Sequence, residues 1–147
     1  VGGLLDVNNK VPIKFPSMKE LFNGTNWVHL TTIKNGDAYE RASSMMQVQF
    51  GRFNNEQQCL LLLAITHGPN PSPYVVSFGS KNKSGVELKL AYYRNSNDNT
   101  TSIYIKTNIK NGSLGKIWIT KHVSLNITND DLSSIDTLPE GAVEIEP

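Results

Sequence analysis

The stretch "GVELKLAYYR" at 85–94 decides the fold. In an extended chain Val86, Leu88, Leu90 and Tyr92 fall on one side, and Glu87, Lys89, Ala91 and Tyr93 on the other. Alternation with period two marks a strand with one face in a core and one toward water. "TSIYIKT" at 101–107 repeats the pattern, with Ile103 and Ile105 opposite Tyr104 and Lys106. "GKIWITKHVSLNI" at 115–127 sets Ile117 and Ile119 opposite Trp118 and Thr120. It reads as one long bent strand, or as two with a break near Lys121-His122.

Further strands follow outward from these. "WVHLTTI" at 27–33 alternates Val28 and Leu30 with Trp27, His29 and Thr31. "KNGD" at 34–37 is a tight-turn signal, because Asn-Gly tolerates the positive φ that a two-residue hairpin needs. The first half of "AYERASSMMQVQFGRF" at 38–53 suits helix or strand, and its second half alternates as a strand. "CLLLLAIT" at 59–66 is apolar on both faces. Its length favours a strand over a buried helix, one face in the core and the other against a partner subunit. "HGPNPSP" at 67–73 is a loop, since proline cannot serve a hydrogen-bonded ladder. "YVVSF" at 74–78 resumes strand, and "AVEIE" at 142–146 is a last edge strand. "TNDDLSSI" at 128–135 has the form of a single capped helical turn.

These spacings predict an all-β domain, an antiparallel β-sandwich of jelly-roll type with about eight to ten strands. A parallel α/β fold would need helical segments between the strands. Residues 1–21 read as a linker or extended arm with a short helical turn after Ser17, and 22–147 as the sandwich domain. A chain of 147 residues suits one core.

The formal net charge is +1 and charged residues are 18% of the chain. No basic block tracks a phosphate backbone, which argues against nucleic acid. The longest apolar run, Cys59–Ile65, is too short to insert in a membrane. The single cysteine, Cys59, reads as a buried hydrophobe. No phosphate loop, dinucleotide fingerprint, zinc spacing or calcium loop is present, so no cofactor and no metal are expected. His29, His67 and His122 lie far apart and read as surface or turn histidines. The acids Asp37, Glu40, Glu56, Glu87, Asp98, Asp130 and Asp131 mostly sit in Asn- and Gly-rich turns, where they cap backbone amides. No catalytic residue is named.

The functional signal is aromatic. If the aliphatic rows face the core, Trp27, Tyr93, Tyr104 and Trp118 face outward. Exposed rings stack on the apolar faces of sugars, with Arg94 and Lys106 near enough to bind hydroxyls. The same rings equally suit a subunit interface or cross-strand packing. Leu60, Leu62 and Trp27 are the candidate oligomer contacts.

Three segments carry a resemblance: "FNGTNWVHLTTIKNGDAYERASSMMQVQFGRF" at 22–53, "PYVVSFGS" at 73–80 and "YYRNSNDNTTSIYIKT" at 92–107. The chain resembles the C-terminal domains of bacteriophage tail fibres and tailspikes over residues 22–127. The resemblance implies a homotrimer at the end of a parent fibre protein, located on the virion and extracellular during host attachment. It implies a non-catalytic module that binds bacterial surface polysaccharide. Two other readings stand beside it: a polysaccharide-degrading domain with paired carboxylates, and a purely structural virion module.

Overall fold

The computed structural model describes residues 13–17, 26–34, 42–52, 57–67, 74–81, 86–108, 115–124, 127–129 and 133–147. Its strands form two antiparallel sheets. Sheet A runs in the order β1 (Ile13–Ser17), β8 (Gly115–Ser124), β3 (Ala42–Arg52), β4 (Gln57–His67) and β5 (Tyr74–Lys81). Sheet B is built on three long strands, β2 (Trp27–Lys34), β7 (Thr100–Thr107) and β6 (Leu88–Asn95). Short strands edge it: β10 (Ser134–Ile135) and β9 (Ile127–Asn129) on β2, and β11 (Val143–Ile145) on β6.

Alternation builds the core. Leu88 and Leu90 of β6 and Ile103 and Ile105 of β7 join Val28, Leu30 and Ile33 of β2 in one buried cluster. The same cluster takes Met46 and Val48 of β3 and Cys59, Leu61, Leu63 and Ile65 of β4, so both sheets contribute to it. Cys59 sits there as a small apolar side chain. Where the sheets approach, glycine is required. A Cβ on Gly79 of β5 would lie 2.7 Å from Pro147 Cβ and 3.0 Å from Leu88 Cδ2.

Two irregularities set which side chains share a face. In β2 the register shifts between His29 and Thr31, a β-bulge at Leu30. It puts His29 and Thr32, three residues apart, on one face, whereas strict alternation would oppose them. In β8 Met45 pairs Val123 and Met46 pairs Lys121, so His122 is the extra residue. The break expected near Lys121-His122 is thus a bulge, and the strand runs on to Ser124 before β9 begins.

Two expectations are corrected here. Residues 13–17 of the supposed arm are a strand, paired with β8. Its ladder is irregular between Lys14 and Ser17, around Pro16, which has no N–H to donate, and it lies at a sheet edge as proline requires. Thr128 and Asn129 end β9, and Ser134 and Ile135 form β10, both paired with β2, while residues 130–132 of the expected helical turn lie outside the described residues. His29 is not a surface histidine: it is buried in sheet B. The turn after Ser17, residues 38–41 and the 68–73 loop lie outside the described residues, and the rest of the first half of 38–53, from Ala42, is strand β3.

Candidate functional site

Sheet B turns an aromatic row away from the core. Tyr104 of β7 stands opposite His29 of β2 on one side and Ala91 of β6 on the other. Trp27, Ala91 and Tyr104 form a second buried cluster, with Tyr93, Ile135 and Leu138 packed against it. The His29 and Tyr104 rings are tilted at 53° with centroids 5.4 Å apart. Lys106 Nζ lies 5.6 Å from the Trp27 ring centroid, a cation–π contact.

The cover is the chain's own C-terminal segment. β10 pairs Ile135 with Trp27 and Ser134 with Val28, and the His29 N–H donates to the Ser133 carbonyl at 2.8 Å. The structure therefore corrects the expected exposure of Trp27 and Tyr104, which are 5% and 8% exposed. Burial of large amphipathic rings under Ile135 and Leu138 gains more than leaving them wet. Trp27 lies in the other sheet from Leu60 and Leu62, so the three candidate oligomer contacts do not share one face. Sequence signals for this cover exist: Ile135 and Leu138 are lone apolar residues in the polar stretch 133–140.

A hydroxyl chain runs along the same face. His29 Nε2 and Thr32 Oγ1 share a hydrogen bond of 2.8 Å, and Thr32 Oγ1 and Ser102 Oγ one of 2.9 Å. Thr32 stands between imidazole and serine, so the arrangement ties the bulged β2 to β7. Glu87 and Asp98 flank β6 at opposite ends, which separates them by about 25 Å at strand rise. That is far beyond the 5 to 9.5 Å a pair of glycosidase carboxylates needs. Asp98 instead accepts from Asn95 Nδ2 at 3.1 Å within the hairpin turn. Among the described residues no three His, Cys, Asp or Glu side chains come together to hold a metal.

Sheet A presents the opposite situation. On β4, Cys59, Leu61, Leu63 and Ile65 are buried, while Leu62 and Ala64 are exposed and Leu60 is half-buried. Across the ladder Leu62 meets Phe78 of β5 and Gln47 of β3, and Ala64 meets Met45. Met45, Leu62 and Phe78 are 46%, 42% and 61% exposed. They border a groove of about 240 Å³ with Ala64 and Ser77. Met45 and Phe78 escaped sequence reading, although the alternation of "MMQVQF" and "YVVSF" assigns each to a face once the register is known.

The candidate sugar residues thus divide. Trp27, Tyr93, Tyr104 and Lys106 gather on the outer face of sheet B. Arg94 falls in the opposite row of the same sheet, with Thr101 and Ile33. Trp118 belongs to β8 of sheet A, its Cα opposite Gln49 and Lys14. Its side chain is outside the described residues. No protein-family model, no curated protein and no solved structure matches the chain.

Proposed function

We propose that the chain is a non-catalytic assembly module, a β-sandwich of jelly-roll type that associates with copies of itself through the outer face of sheet A. In this reading it is the trimeric end of a phage tail fibre or tailspike and touches bacterial surface polysaccharide. The observation that carries it is the exposed patch of Met45, Leu62 and Phe78. Isolated apolar residues on a surface are ordinary, but a contiguous patch on a sheet face marks a contact.

The occupant is another copy of this chain for two reasons. On β3, β4 and β5 the outward residues Met45, Gln47, Gln49, Leu60, Leu62, Ala64 and Phe78 carry no charge, and Lys14 and Lys116 fall in register with these rows only on β1 and β8. A copy that meets the patch on β3, β4 and β5 brings an equally neutral one, so no ion there is desolvated without a partner. The area also fits. Four strands, β8, β3, β4 and β5, about 4.8 Å apart and 8 to 11 residues long, span roughly 500–700 Å², approaching the ~800 Å² per partner of a stable interface. The nested pairing of β1 with β8 and β2 with β7 supports the jelly-roll reading. β6 departs from it by pairing with β7 and not with β3. The resemblance over 22–127 supports the fibre context.

The test is solution mass by sedimentation equilibrium. A mass near three times 16.3 kDa that falls to one in Leu62→Asp is expected. A dimer would keep self-association and overturn the trimer; a monomeric wild type overturns the reading.

A further inference from the structure

Arg94 is shielded by the fold but only partly satisfied by it. It lies in the inward row of sheet B, Arg94–Thr101–Ile33, the last such row before the β6–β7 turn. Thr101 and Ile33 in that row are fully buried. Arg94 Nη2 donates to Asn99 Oδ1 at 3.0 Å. Nε and Nη1 are closed off from solvent and have no hydrogen-bond partner. A guanidinium held this way keeps its charge, because arginine does not lose its proton in proteins. Shielded N–H groups of a cation without acceptors are a costly arrangement that asks for a missing partner.

We propose that Arg94 receives the carboxylate of a ligand, of the acidic-saccharide class. Planar guanidinium offers two forks to a carboxylate, one from Nε–H with Nη2–H and one from Nη1–H with Nη2–H. Nη2 carries two protons, one for each fork, and Asn99 takes one of them. One complete fork therefore remains whichever proton is used. The Asp98 carboxylate of the adjoining turn accepts from Asn95 Nδ2.

The turn supplies the way in. Ser96, Asn97 and Asp98 are exposed, and Asn99 holds a left-handed φ of 55°. It is fastened by Asn95 Oδ1, which accepts from the N–H groups of Asn97 at 3.0 Å and Asp98 at 3.3 Å. In this proposal the ligand enters by displacing this short turn, which touches the guanidinium through Asn99. Asn97 is exposed in this turn, and an amide side chain there suits the hydroxyls of a sugar.

This inference deepens the polysaccharide half of the proposed function and is independent of self-association. The experiment follows the Arg94 Nε–Hε resonance by NMR, identified by its loss in Arg94→Lys, during titration with glucuronate. A saturable shift with a Kd on the order of millimolar is expected, as suits one charged fork. Glucose at the same concentrations leaves the resonance in place, and Arg94→Lys weakens glucuronate binding about tenfold or more. No saturable shift by about 50 mM glucuronate overturns the proposal. So does an equal shift with glucose, equal affinity for sulfate, or a shift that follows protein concentration alone, which would assign the partner to a second copy. Binding of a neutral host glycan with Arg94 unmoved would sink this inference and leave the polysaccharide reading standing.

Discussion

Leu62 of β4 stands directly across the ladder from Phe78 of β5, both open on the outer face of sheet A at 42% and 61% exposure. Its neighbour Leu61 is fully buried. Two adjacent leucines in one apolar run therefore do different things. Leu61→Ala is expected to cost about 2–5 kcal/mol by opening a core cavity, at any protein concentration. Leu62→Ala is expected to lose stability only where the chain is associated, so its cost shrinks on dilution. Urea unfolding at two protein concentrations separates them. A concentration-independent loss in Leu62→Ala contradicts the assignment.

The C-terminal segment roofs Trp27 through Ile135 and Leu138. In a Trp118→Phe background Trp27 is the sole tryptophan. Ile135→Ser with Leu138→Ser is expected to shift its emission to the red and to cost about 2–3 kcal/mol of buried apolar area. An unchanged emission maximum would show that the ring is covered by something else.

Gly79 leaves room for Pro147 and Leu88. Gly79→Val forces side chains into contact and should destabilise by about 1–3 kcal/mol. Pro147→Gly in the same chain should restore much of that loss, since the shortest contact is to the Pro147 ring. Thermal unfolding of the single and double variants checks it, and absence of any rescue would mean that the clash with Leu88 dominates.

Thr32 and Ser102 are joined by a hydrogen bond across β2 and β7, and Thr32 also reaches His29. Thr32→Val and Ser102→Ala should each cost about 1 kcal/mol. Because they share one bond, the double variant should lose about 0.5–1.5 kcal/mol less than the sum. Strict additivity in a double-mutant cycle would contradict the chain of hydroxyls.

Alternation made β6 and β7 legible, because one apolar row of each serves a single core. Val86, Leu88 and Leu90, and Ile103 and Ile105, are buried as the pattern requires. It failed on the other face of the same sheet. Tyr104 and Trp27 occupy outward positions, but position on a strand says nothing about what later segments lie over it. Ile135 and Leu138 decided that, through a two-residue strand with little local signal. The bulge at Leu30 was equally hidden, since it arises from cross-strand register. β1 was missed because Pro16 reads as a strand breaker, and only its place at a sheet edge makes it tolerable. Leu60 and Leu62 were singled out from the doubly apolar run of β4, and the structure leaves Leu62 open and Leu60 half-buried. Their partners Met45 and Phe78 emerged only when β3 and β5 were aligned beside it.

The outer face of sheet A carries the central claim, and the mass of the protein in solution tests it most directly. Sedimentation equilibrium should give about three times 16.3 kDa for the wild-type chain and 16.3 kDa for Leu62→Asp, with the circular dichroism of the variant unchanged. A wild-type chain that stays at 16.3 kDa at the highest concentrations reached would contradict it.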